Sequence, residues 1–269
     1  MAKKIGIVGG VSWLSTVDYY SGICRRSEEW QLATNPHPVP STPEMSIESL
    51  DIRKAIALLG VDEDENSWTQ FDHYHRAALK RLESSGADFA LIASNTAHHR
   101  FRSIVGGIEI PVVSILDVMA KESARIGARE VLILGTAVTM RSSSFREGFA
   151  NYGIEATGPR EEAVRDMTTG LIAELQIGKR EGTARRLAKI ARVAFEGKFR
   201  MSPVVCLACT ELPLAFQEQK MRTTFEYDGI FFINSTALHI AAAFDLAVDQ
   251  RMPSVNGAES SARTGASNK

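Results

Sequence analysis

Two short stretches place reactive side chains where a strand gives way to a helix. In CLACTELPL (206–214), Cys209 closes an apolar run, and Thr210, Glu211 and Pro213 follow in what reads as the first turn of a helix with Thr210 at its N-cap. A thiol beside a helix N-terminus gains thiolate character from its ordinary pKa of about 8.5, which suits a general base or a nucleophile. The alternative is a buried structural cysteine, a reading that fits Cys206, inside the strand, better than Cys209. In LIASNTAHHR (91–100) a second apolar run stops at Ser94, with Asn95 and Thr96 next and His98 four residues on. A hydroxyl is a far weaker acid than a thiol, so Ser94 needs help to act as a base. If one helix carries both residues they share a face, which permits a Ser94–His98 relay. The other readings are a water held by Ser94, or an inert Ser94 beside a His98 that packs or caps.

The C-x-x-C spacing of Cys206 and Cys209 invites comparison with zinc and redox sites. A tetrahedral zinc site needs two further ligands and no matching pair is present. Redox motifs set the first cysteine at the helix start, whereas here the second is there, so no metal is expected. The opening GIVGGVSWLST (6–16) is a strand, a glycine turn and a helix start, a natural cradle for an anion. Ser12, Ser15 and Thr16 are its candidate carboxylate contacts, with Gly10 of the glycine turn beside them, although Ser12 reads equally well as a helix cap. Val8 occupies the second glycine position of the dinucleotide fingerprint, which argues against a nicotinamide cofactor.

These stretches must be held by a scaffold of alternating elements. Short β-branched runs at 4–8, 39–47, 89–93, 112–115, 130–134, 203–208 and 230–233 are expected strands. Helical periodicity at 15–31, 67–85, 117–126, 140–152, 161–175, 183–196 and 235–249 separates them, the pattern of an α/β protein with parallel sheets. An internal repeat is visible: KKIGIVGG resembles REVLILGT (129–136), and DFALIASNT resembles SPVVCLACTE. Two related lobes facing each other put Ser94 and Cys209 on opposite walls of one cleft, because ligands of parallel sheets bind beyond the strand carboxyl ends.

Composition narrows the partners. With 269 residues and a formal net charge of −1, the chain has core enough for two lobes and no basic excess for nucleic acid. No apolar run reaches the roughly 20 residues of a membrane span, and the N-terminus runs directly into a strand without a signal-peptide pattern. Three cysteines make no disulfide framework, and a cytoplasmic location is expected. A small molecule is the expected partner.

Taken together, GIVGGVSWLSTVDYY, SNTAH, ACTELPL and NSTALHIAAA resemble the aspartate/glutamate racemase superfamily over nearly the whole chain. The resemblance implies two pseudo-symmetric α/β lobes, each a mostly parallel sheet flanked by helices, with the active site between them. It implies chemistry without pyridoxal phosphate, other cofactor or metal, in which two opposed thiols remove and return the α-proton. Carried over, Cys209 is one acid/base, and Asn95, Thr96 and Thr210, beside Ser12 and the glycine turn, hold the substrate's carboxylate and amine, with Glu211 adjoining. It also implies a homodimer. By the same analogy the first lobe takes 1–117 plus 224–250, the second takes 118–223, and the polar tail 251–269 is disordered.

Departures from the family pattern bear on the reaction. Ser94 stands where members usually carry cysteine, although some carry threonine. Asn234 replaces a usual aspartate, and Val11 and Leu14 replace methionine and glutamate. The arginine that commonly grips a distal carboxylate has no counterpart; STPEMSIESLDIRKAI offers Glu48 at the strand end and Arg53 further on. A site with Glu48 and no matched arginine is expected to prefer something other than a dicarboxylic amino acid. The first reading is an amino-acid racemase or epimerase using Cys209 with Ser94 and His98. The alternatives are a one-thiol lyase, decarboxylase or isomerase on the same fold, and a non-catalytic carboxylate-binding homologue.

Overall fold

Strands form where both sheet faces find cover. The computed structural model describes residues 3–61, 64–195 and 204–248. The first lobe carries β1 (Ile5–Gly9), α1 (Trp13–Thr34), β2 (Met45–Ser49), α2 (Ile52–Ala57), α3 (Thr69–Ser84), β3 (Phe89–Ile92), α4 (Asn95–His98), α5 (Phe101–Val105) and β4 (Val112–Val113). The second carries α6 (Ile115–Arg125), β5 (Glu130–Gly135), α7 (Ala137–Arg141), α8 (Ser143–Ala150), β6 (Glu155–Thr157), α9 (Glu162–Gln176), α10 (Thr183–Phe195), β7 (Val204–Ala208), β8 (Thr224–Tyr227), β9 (Ile230–Asn234) and α11 (Ser235–Val248).

The sheets are ordered β2-β1-β3-β4 and β6-β5-β7-β9-β8, parallel except for the β8–β9 pair. Leaving out β8, the second sheet repeats the order of the first, with β5 in the place of β1 and β7 in the place of β3. The internal repeat of the sequence is therefore a repeat of topology. Apolar clusters cover both faces of each sheet, which is why the strand runs are continuously apolar.

The differences from expectation have local causes. The expected strand at 39–47 starts only at Met45, because Pro38, Pro40 and Pro43 interrupt ladder pairing ahead of it. The expected helix at 140–152 divides at Ser142, whose extended ψ of 122° ends α7 and begins α8. The expected lobe boundary at 224 does not follow the sheets. β8 and β9 hydrogen-bond into the second sheet beside β7, and α11 packs on α1 of the first lobe and also on α6. The run 230–233 is buried, and nothing in its own residues announces which lobe supplies its partner strand. The expected disordered tail lies outside the described residues. Among these residues no helix is long and apolar enough to cross a membrane.

Candidate active site

β1 delivers the glycine turn to the cleft. Gly10 has φ +84°, and a Cβ there would lie 2.2 Å from the Leu50 carbonyl oxygen, so this position requires glycine. Its N–H donates to Thr16 Oγ1 at 2.8 Å, and that hydroxyl donates to the Ser12 carbonyl at 3.0 Å. Gly10 and Thr16 thus spend their polar groups on the turn itself, and neither lines the cleft, contrary to their expected role as carboxylate contacts. Ser12 does both things the sequence allowed. It is the N-cap of α1, its Oγ accepting from Ser15 N at 3.5 Å, and it faces the cleft beside Val11.

Ser94 follows β3 as the N-cap of the four-residue α4, its Oγ accepting from Ala97 N at 3.5 Å. His98 does not reach that hydroxyl. Its Nδ1 donates to the Ser94 carbonyl at 2.7 Å and its Nε2 accepts from Ile115 N at 3.1 Å, so both ring nitrogens are engaged and the neutral tautomer is fixed. Complete burial lowers its pKa to about 4. The expected Ser94–His98 relay is not formed. The histidine ties α4 to α6, for the same reason that any buried ring with two backbone partners is structural.

The second wall comes from β7. Cys209 and Ser94 line the same cleft of about 310 Å³. The Cys209 Sγ donates to Glu211 Oε2 at 3.0 Å, and Thr210 Oγ1 donates to that same oxygen at 3.1 Å. Burial, followed by the charge of Glu211, pushes the thiol well above its ordinary pKa. This reverses the expected thiolate character. The helix that was to supply the dipole is a four-residue 3₁₀ turn, Leu212–Ala215, with Glu211 rather than Thr210 at its N-cap. Cys206 lies on the other face of the sheet among Ile133 and Ile233, its thiol pushed up to about 12 by burial, so the two cysteines do not converge.

Two buried acceptors on residues that line the cleft are left without partners, Asn95 Oδ1 and Glu211 Oε1. The amide orientation follows from its neighbour. Ser235 Oγ donates to the Leu207 carbonyl at 2.7 Å, so it must accept from Asn95 Nδ2 at 3.1 Å, which leaves Oδ1 free. Thr96 Oγ1 meets Thr136 Oγ1 at 2.9 Å, joining the two lobes through hydroxyls. Ser12, Asn95, Thr96, Thr210 and Glu211 all line the cleft, as the resemblance implied. Glu48 does not. It sits on β2 and accepts from Arg81 Nε at 2.7 Å, since the pleat turns it away from the cleft.

Sequence reasoning missed the apolar wall made by Ile52, Ala55, Ile56, Leu59 and Phe71. The signal was present in DIRKAI, with an Asp N-cap followed by apolar residues at helical spacing: Asp51 Oδ1 accepts from Arg53 N at 2.7 Å and from Lys54 N at 3.2 Å.

The cleft thus holds a buried thiol against a carboxylate, a serine hydroxyl and two free acceptors. The profile of the Asp/Glu/hydantoin racemase family matches residues 8–243. The broad-specificity amino-acid racemase RacX of Bacillus subtilis strain 168 is 23% identical over 218 residues, covering 77% of this chain and 85% of that protein. The crystal structure of PH1733, an aspartate racemase homologue from Pyrococcus horikoshii OT3, is 26% identical with a TM-score of 0.69, covering 92% of this chain and 100% of that one. The Picrophilus torridus aspartate racemase aligns with a TM-score of 0.66 at 20% identity, covering 91% and 94% of the two chains. The chain belongs to the Asp/Glu/hydantoin racemase family. That membership makes it an isomerase of the cofactor-independent amino-acid racemase type.

Proposed function

We propose that the protein racemises or epimerises an amino acid at Cα, with Cys209 serving one face and the Ser94 side serving the other. The observation that carries this is the Cys209–Glu211 pair opening onto the cleft that Ser94 also lines. The substrate ammonium donates to Asn95 Oδ1 and Glu211 Oε1, which relieves two buried acceptors that otherwise cost free energy. The substrate carboxylate accepts from the hydroxyls of Ser12 and Thr96, while Thr210, whose hydroxyl donates to Glu211 Oε2, lines the same pocket. With its pKa raised, Cys209 rests as a thiol and delivers its proton to a carbanion at Cα. In the opposite direction the thiol proton passes to Glu211 Oε2, and the thiolate removes the α-proton from its own face.

The Ser94 face works differently. Ser94 Oγ has no base in contact, so a water held by this hydroxyl accepts or returns the proton there. That same observation favours a second reading, one-sided chemistry by Cys209 alone, as in a lyase or decarboxylase. The experiment that separates them is proton NMR in D2O with L- and D-amino acids, following α-proton exchange alongside chiral analysis. Exchange with inversion supports the first reading, exchange with retention means that Cys209 acts alone, and silence across the panel rejects the racemase and favours the one-thiol lyase or a non-catalytic carboxylate binder. Ser94→Cys restores a thiol pair and is expected to keep or raise inversion; loss of inversion in a folded variant counts against the two-faced geometry.

We further infer a homodimer located in the cytoplasm. Trp13, Val17 and Tyr20 leave an exposed apolar stripe on α1 in support of the first, and the free Cys24, Cys206 and Cys209 support the second. Sedimentation and cell fractionation are the respective checks.

A further inference from the structure

The cleft is lined by two chemically distinct sets of side chains. One is polar, with Asn95, Thr96, Gln176, Cys209, Thr210 and Glu211. The other, its apolar end, is Ile52, Ala55, Ile56, Leu59, Phe71 and Val138. Glu211 is the one charged side chain among the described residues lining the cleft, and no lysine, arginine or histidine lines it. A second carboxylate on a substrate would be drawn out of water against this apolar set without a cation to pair with it, in a cleft whose one lining charge, Glu211, is of the same sign.

The apolar end is also incompletely covered. Ile56 is 58% exposed and Leu59 is 38% exposed, although Ile52, Ala55 and Ile56 follow the i, i+3, i+4 spacing of a single helix face. Such a face turned toward a ligand cleft gains hydrophobic stabilisation only when an apolar group covers it. The charged residues of α2 are turned elsewhere. Lys54 Nζ stacks over the Tyr74 ring at 4.6 Å, and Arg53 lies on the exposed side of the helix.

We infer that the substrate is an α-amino acid with an uncharged, apolar side chain, and that α2 with Leu59 forms the surface that selects it. This rests on the proposed racemase reading for the reaction and on the lining of the cleft for the side chain. The substrate's amino and carboxylate groups face Asn95, Glu211 and the threonines, and its side chain lies along Ile52, Ile56 and Leu59.

The test compares leucine and methionine with aspartate and glutamate, by kcat/KM for α-proton exchange and by calorimetric Kd on the same full-length protein. Leucine or methionine is expected to exceed both dicarboxylic amino acids by at least tenfold in both measurements. Ile56→Arg puts a cation at the apolar end from an already exposed position, so the fold is kept, and the leucine-to-glutamate ratio is expected to fall at least tenfold. Arg53→Ala is expected to leave that ratio unchanged. A leucine Kd tenfold below that of glutamate, found without any exchange, supports the selectivity and assigns the failure to the racemase reading. Tighter binding or faster exchange of aspartate or glutamate overturns the inference. So does an absence of binding by all four amino acids at millimolar concentration, or a tenfold shift of the ratio in Arg53→Ala.

Discussion

Lowering the pH from 7.5 to 5.0 should destabilise this protein through two histidines behind the cleft. The His98 Nδ1 donates to the Ser94 carbonyl and its Nε2 accepts from Ile115 N, while His239 Nε2 donates to the Val113 carbonyl at 2.9 Å and its Nδ1 accepts from Tyr19 Oη at 2.8 Å. Both rings are buried and neutral, with their centroids 5.8 Å apart, so an added proton finds no acceptor and faces a second ring. Burial lowers their pKa values to about 4 and about 3, with repulsion from His98 adding to the His239 shift and repulsion from His75 to the His98 shift. In the unfolded chain both rings titrate near the ordinary 6.5. Between that value and about 4 the unfolded state therefore binds more protons, and stability falls as pH falls. At pH 5.0 each ring forfeits about 1.5 pH units of linkage, about 2 kcal/mol, giving about 4 kcal/mol for the pair. Urea denaturation at the two pH values measures this directly. His98→Gln should be less stable at pH 7.5 yet lose about 2 kcal/mol less on acidification. A wild-type change below about 1 kcal/mol, or an undiminished pH dependence in both His98→Gln and His239→Gln, would refute the linkage argument.

Three other outcomes follow from the cleft. Glu211→Gln removes the second-largest influence raising the Cys209 thiol, so the thiolate absorbance should titrate at lower pH while exchange activity falls about 100-fold; an unmoved titration denies the contact. Cys209→Ala should abolish turnover yet keep calorimetric binding of the amino acid, and retained turnover removes Cys209 from the mechanism. Gly10→Ala, forced into positive φ and against the Leu50 carbonyl, should cost more than about 2 kcal/mol in urea denaturation, whereas Thr16→Val, which loses the hydroxyl that accepts from Gly10 N and donates to the Ser12 carbonyl, should cost about 1 to 2.

The sequence was most informative where the signal was local. Continuous apolar runs marked β1, β3, β5 and β7 because parallel strands buried on both faces need no alternation. The repeat placed Ser94 and Cys209 at equivalent strand ends, and the shared cleft bears this out. What failed depended on the direction a side chain takes after the chain folds. The spacing of Ser94 and His98 is right for a shared face, but the ring found two backbone partners instead, the Ser94 carbonyl at the start of its own helix and Ile115 N of a neighbouring element, 17 residues away. Glu48 was one residue from a strand end and still turned outward to Arg81. The ionisation of Cys209 was misjudged because a motif shows proximity to a helix and hides its length, and because the carboxylate two residues on is acceptor and repulsive charge at once.

The hydrogen-bond chain from Asn95 through Ser235 to Leu207 has a consequence for stereochemistry. Leu207 precedes Cys209 by two residues on β7, whereas Asn95 adjoins Ser94 at the end of β3. The amide that would hold the amino group is therefore clamped to the strand that carries the thiol. Its distance from the sulfur is set by two short contacts and a stretch of sheet, and the spacing of the two walls at this point acts as a fixed gauge. In the proposed two-faced reaction the amino group, carboxylate and side chain of a mirror-image substrate keep their places, and only the α-hydrogen changes walls. On that mechanism, handedness is read by which wall the hydrogen meets.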